Sequence, residues 1–176
     1  MAVATDTGPS RSRPWVGRTP ELLTVIVIVV LDQVTKALVR ANLPLHESVT
    51  VIPGFFDLTH VRNTGAAFGM LNGVDFPYKP AVMVLVALIA LMAVASYALT
   101  LPSTQPIARY GLALILGGAI GNLIDRATVG YVVDFVDVYW RGVHFWAFNV
   151  ADSAITVGVA LMLVDVLGVR RVPETV

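Results

Sequence analysis

The chain has 176 residues, of which 56% are hydrophobic and 14% charged, with 12 Lys and Arg against 12 Asp and Glu for a net charge of zero. So much apolar surface with so little charge excludes an ordinary soluble domain and marks a membrane protein. Balanced charge without a basic, aromatic-interleaved run excludes a nucleic-acid partner, and the absence of cysteine removes disulfides, thiolate catalysis and cysteine-held metals together.

Residues 1–20 are rich in Ser, Thr, Gly, Pro and Arg and read as a disordered tail. Arg11, Arg13 and Arg18 then precede an apolar run from Leu22, as in a secretory leader, but Asp32, Gln33 and Lys36 follow where a small-residue cleavage site would stand. The pattern therefore predicts an uncleaved helix over 22–41, near the roughly 20 residues a bilayer requires. Further spans are expected over 80–101, 107–124 and 150–169, with a short tail over 171–176. Four spans put both termini on one side. Lys and Arg divide evenly between the two faces, so the positive-inside count does not choose. Lys36, Arg40 and Arg126 lie in or beside helix ends with site-like neighbours, which favours cytoplasmic termini.

Two connections are longer than a helix hairpin needs. In 42–79, the β-branched and aromatic stretches 49–52 and 55–61 predict a small sheet at the membrane surface. Segment 126–149 carries Tyr131, Phe135, Tyr139, Trp140, Phe145 and Trp146 and reads as a long loop in the headgroup region. Both are expected to emerge on the face holding Asp125 and Asp152 and to close over a bound substrate, with Gly54, Gly73, Gly130 and Gly142 as flexible points.

Candidate chemistry gathers at that face. Asp125 ends one apolar span and Asp152 opens the next, each with an asparagine three residues earlier, Asn122 and Asn149, whose amide could orient a carboxylate. Packed antiparallel, the two helices would bring the acids together; a pair of hydrated interfacial acids is the plainer alternative. Asp32, Lys36 and Arg40 share one stripe at i, i+4 and i+8, either as a structural intramembrane ion pair or as positioning groups near the site. Gly117 and Gly121 permit close helix approach. His46-Glu47 lacks a second histidine at position 50, which is Thr50, so a helical zinc-protease arrangement fails. His46, His60 and His144 read as surface loop residues, and a serine–lysine pairing of Ser48 with Lys36 has no supporting pattern.

These residues carry a resemblance. The stretches Asp32-Gln33-Val34-Thr35-Lys36, Asn63-Thr64-Gly65-Ala66-Ala67-Phe68, the run from Gly117 to Arg126, Val133-Asp134-Phe135-Val136-Asp137, and Phe148-Asn149-Val150-Ala151-Asp152-Ser153, in this order, resemble the bacterial lipoprotein signal peptidase (signal peptidase II) family across about residues 22–170. The resemblance implies an all-α membrane protein of four transmembrane helices with a small periplasmic-side sheet and a long periplasmic loop. It implies an inner-membrane aspartyl endopeptidase, without metal or other cofactor, that cuts diacylglyceryl-modified prolipoproteins before the lipidated cysteine. Asp125 and Asp152 match the catalytic pair under this resemblance. Asp32, Lys36, Asn63, Gly65, Asn122, Arg126, Asn149 and Ala151 match positions in or near the substrate pocket, which also takes globomycin-type inhibitors. The tail is longer than the family core needs, and Trp146 stands where a proline is expected.

Two carboxylates sharing one proton can activate water and protonate a carbonyl oxygen. Helix direction alone gives the proton to Asp125 and the base role to Asp152. Membrane lipid is the expected surround and a monomer the expected state, since one four-helix bundle encloses one site. A transporter would place its acids near the midplane and repeat its halves, and a scaffold would not need so many polar motifs on one face. A lipid-binding module without catalysis is separated from a peptidase by a cleavage assay.

Overall fold

The computed structural model describes residues 18–65, 70, 71 and 73–168. In chain order it contains α1 (Thr19–Asn42), β1 (Ser48–Ile52), β2 (Phe56–Asn63), α2 (Lys79–Thr100), α3 (Pro106–Thr128), β3 (Val132–Trp140), β4 (Val143–His144) and α4 (Val150–Gly168). All four helices are long and apolar enough to cross a membrane. The expected C-terminal tail, the expected end of α4 at Val169 and most of the N-terminal tail lie outside the described residues.

Helix ends differ from expectation for local reasons. The first helix starts at Thr19 rather than Leu22, with Pro20 in the first turn, where its missing N–H leaves no bond unmade. Just before it, the Arg18 guanidinium donates to the carbonyls of Ala98 (2.6 Å), Leu99 (3.3 Å) and Leu101 (3.1 Å) at the end of α2. Those carbonyls have no helical partner, and a cation suits the negative end of a helix. At its other end α3 runs on to Thr128 instead of stopping at 124, and the Val129 N–H closes the last turn on the Asp125 carbonyl (2.9 Å). Asp125 and Arg126 are thus helical residues.

The third helix is the axis of the bundle. Of its most apolar stretch 44% is buried, against 0% for that of α2. Glycine makes this packing close: a Cβ on Gly111 would sit 2.9 Å from the Gly158 carbonyl oxygen, and one on Gly158 would sit 2.5 Å from that of Gly111. On the α1 side, a Cβ on Gly117 would lie 2.9 Å from Ile28, and one on Gly121 would lie 2.5 Å from the Asp32 carboxylate. The small-residue pattern therefore joins α3 to α1 as well as to α4. Leu22, Ile26 and Val30 of α1 and Leu85 and Ile89 of α2 remain exposed, as expected of a face that lipid covers.

The sheet is antiparallel in the order β1-β2-β3-β4. The strands expected at 49–52 and 55–61 are present as β1 and β2, whereas 126–149 is not one continuous loop: it begins inside α3 and contains β3 and β4. Pairing of β2 with β3 runs from Phe56 opposite Val138 to Asn63 opposite Val132, with an irregularity between Leu58 and Val61. After β4 the chain returns beside β3, where Phe148 bonds to Val136 in both directions (2.8 and 3.1 Å). This return brings the start of α4 alongside the middle of β3.

Candidate active site

Asp134, the third residue of β3, is 3% exposed, its carboxylate held at both oxygens. The Asn63 amide, from the last position of β2, donates to Oδ2 (3.1 Å), and the Asn149 amide donates to Oδ1 (2.7 Å). Asn149 is also the residue just before α4. Its side-chain oxygen accepts the Asp152 N–H (2.9 Å), while its own N–H donates to Asp152 Oδ2 (3.3 Å). This reciprocal arrangement is a capping box built from Asn-x-x-Asp. The other Asp152 oxygen, Oδ1, accepts from Asn122 Nδ2 (2.8 Å). One asparagine therefore ties together two carboxylates from different elements.

Both carboxylates line a cavity of about 740 Å³, together with Asn63, Asn122 and Arg126. Its remaining wall is mostly apolar, with Ala87 and Ala90 of α2, Ala119 of α3, Ile155 and Val157 of α4, and Phe145 to Phe148 from the return segment. Arg126 is positioned by two carbonyls, donating to Gly65 (2.9 Å) and Asn122 (3.4 Å). Burial pushes the Asp134 carboxyl up to about 7, and the neighbouring Asp152 charge adds to this. The bonds from Asn63 and Asn149 and the charge of Lys36 pull the other way. A carboxyl poised near neutrality beside a second one can hold a shared proton.

Asp125 is elsewhere. It is 1% exposed, does not line this cavity, and turns toward α1, with Lys36 Nζ at 3.2 Å from Oδ2 and Arg40 at 3.5 Å from Oδ1. The Val133 N–H also donates to Oδ2 (3.2 Å). The expected meeting of Asp125 with Asp152 is therefore corrected: the acid that shares the cavity with Asp152 is Asp134. Asp125 follows α3 around its last turn, and its side chain leaves on the α1 side. Of the other expected residues, Asn63, Asn122 and Arg126 line the cavity. Asn149 braces both acids, and Gly65 supplies the carbonyl that holds Arg126. Asp32, Lys36 and Ala151 are fully buried behind the site, where Asp32 pairs with Lys36 (2.8 Å) and accepts the Ala151 N–H (2.9 Å). His46 and His144 are exposed as expected, but His60 is buried, with Nδ1 at 2.8 Å from the Leu43 carbonyl oxygen. Asp134 lies within the Val133–Asp137 stretch of the family resemblance, to which no site role is attached from sequence. The signal it does carry is a single acid between two apolar pairs, Val132-Val133 and Phe135-Val136.

Bundle, sheet and cavity define a multi-pass membrane protein with a carboxylate-bearing site at the sheet end. Residues 24–168 match the family described as signal peptidase (SPase) II. The chain is 47% identical over 149 residues to the lipoprotein signal peptidase of Geobacter metallireducens, covering 85% of this chain and 91% of that one. It is 47% identical over 151 residues to that of Symbiobacterium thermophilum, covering 85% and 95%. A solved structure described as a bacterial membrane enzyme superposes with a TM-score of 0.79 at 32% identity, over 92% of this chain and 96% of that one. The chain belongs to the signal peptidase II family and is a membrane peptidase.

Proposed function

We propose that the protein removes the signal peptide from diacylglyceryl-modified prolipoproteins, cutting before the lipidated cysteine, by an activated-water mechanism in which Asp134 and Asp152 are the catalytic pair. One observation carries this reading: the two carboxylates line one cavity and are braced by the same asparagine. Asp152, at the start of α4 and accepting from Asn122 and a backbone N–H, is the base that takes a proton from water. Asp134, kept near neutrality by burial, is the acid that protonates the carbonyl oxygen. The apolar wall suits a signal helix and acyl chains, and the polar mouth beside the sheet suits a scissile bond near the outer face of the inner membrane. Both termini would then be cytoplasmic. Asn63, Asn122 and Arg126 are the side chains that would touch the peptide backbone, or a globomycin-type inhibitor in its place, and one bundle encloses the whole site, as a monomer needs.

Incubating the purified protein in detergent with a precursor, with and without its diacylglyceryl group, tests this. Cleavage immediately before the cysteine, only of the lipidated form, is the expected product by mass. Cleavage elsewhere, or equal cleavage of both forms, contradicts it.

A further inference from the structure

A charged cluster lies behind the cavity without reaching it. Lys36 is 0% exposed, and its ammonium has three oxygen partners: Asp32 Oδ2 at 2.8 Å, Asp125 Oδ2 at 3.2 Å and the Asn122 side-chain oxygen at 2.8 Å. These use all the donors an ammonium has. The two carboxylates balance its charge. The third partner is a neutral amide whose other end holds Asp152. An ammonium can only donate, so the Asn122 atom facing it has to be the oxygen, which leaves the NH₂ pointing at Asp152 Oδ1. A flipped amide would set N–H against ammonium and oxygen against carboxylate. Asn149 Nδ2 also reaches the Asn122 oxygen at 3.3 Å, but this is the longest of the three bonds that nitrogen makes, after Asp134 at 2.7 Å and the Val133 carbonyl at 3.2 Å.

We infer that Lys36 is a positioning residue for the cleavage reaction: it fixes the Asn122 amide and thereby the hydrogen bond that Asp152 accepts, without touching substrate. The inference rests on the reading of Asp134 and Asp152 as the catalytic pair. The charged groups around the junction are Asp32 and Arg40 from α1, Asp125 and Arg126 from α3, Asp152 from α4 and Asp134 from β3. Lys36 acts on the pair a second time through its charge, which opposes the upward shift of Asp134.

The test is the double variant Asp32→Asn/Lys36→Met. It removes the buried pair together, so no new unpaired charge is left between them, and the new amide oxygen can still accept the Ala151 N–H. On a lipidated precursor, kcat is expected to fall about ten- to a hundredfold, the scale of a lost hydrogen bond to a charged group, while KM holds. The alkaline limb of the pH–rate profile moves to higher pH, because Asp134 has lost the charge that lowers it. A slower enzyme whose profile superposes on the wild type, or undiminished kcat, overturns the inference. Asn122→Leu gives a second reading should the double variant fail to insert: kcat falls, and near-normal kcat overturns the amide's role. Asp134→Asn and Asp152→Asn, assayed alongside, separate the two readings. Turnover by those variants defeats the catalytic pair, whereas their inactivity with an unmoved Lys36 profile defeats this inference alone.

Discussion

Two acids with similar sequence credentials end in different environments. Asp125 and Asp134 both belong to motifs of the family resemblance, and both are almost fully buried, yet Asp125 has two basic side chains within 3.5 Å while, among the described residues, Asp134 is held by two amides. A buried carboxylate beside Lys and Arg is a fixed anion suited to tying helices together; one held by amides beside another acid is free to exchange its proton. The difference has a consequence for stability. The folded-state pKa of Asp134, about 7, lies above its ordinary value of 3.8. A group shifted this way contributes stability at low pH that is lost as pH rises through the folded value. The Tm in detergent should therefore fall as pH rises from about 4 to about 7 and level off above that, and Asp134→Asn should flatten that fall. An equal fall in wild type and variant would show that Asp134 is not the group titrating. Helix direction had pointed to Asp125 as the proton carrier, but a dipole effect of about 0.3–2 kcal/mol decides nothing until the side chain's neighbours are known. Residue spacing showed that Asn122 and Asn149 could orient carboxylates. It did not show which ones, because Asn149 reaches across to a strand.

At the scale of elements, hydropathy made the four helices legible, since each must carry about 20 apolar residues. Their ends were less so. The last turn of α3 contains Asp125 and Arg126, which stop an apolar run without stopping a helix, because both side chains find buried partners. The strand β3 was hidden for a related reason: aromatic residues at the membrane surface suit a loop or a strand, and only pairing with β2 decides. That pairing joins strands from both long connections into one sheet, so the strands are expected to move together. Spin labels at Val49 and Val143, on the outer strands, should keep the same narrow distance with and without inhibitor. Separation or broadening on binding would restore two independently moving loops. The glycines of α3 make a second element-scale prediction. A Cβ on Gly118 would strike the Ala151 carbonyl oxygen and come within 2.8 Å of Ile155. Backbone cannot yield as a side chain can, so Gly118→Val should cost about 1–3 kcal/mol, read as a lower Tm, whereas Gly168→Ala, with nothing within 4 Å, should cost nothing measurable.

For the whole molecule, the bundle has a structural end and a chemical end. At the first, Arg18 caps α2, Arg109 pairs with Glu21 at 2.7 Å, and Leu101, Ala108 and Leu112 form a small core. At the second, helix packing is polar: Asp32, Lys36, Asn122 and Asp125 are buried between α1 and α3, with the sheet laid over them. Burying so many polar groups is costly unless each is partnered, and the partners form one connected path from Asp32 through Lys36, Asn122 and Asn149 to the acids of the cavity. This path serves the proposed catalytic pair, Asp134 and Asp152, and Asp125 belongs to its foundation. Single-turnover cleavage of a lipidated precursor by Asp134→Asn, Asp152→Asn and Asp125→Asn, each checked for insertion and folding, tests it most directly. The first two should lose about a hundred- to ten-thousandfold in rate, the scale of general acid–base catalysis, and Asp125→Asn should lose far less. Near-normal cleavage by Asp134→Asn, with Asp125→Asn inactive although folded, would assign the catalysis to Asp125 instead.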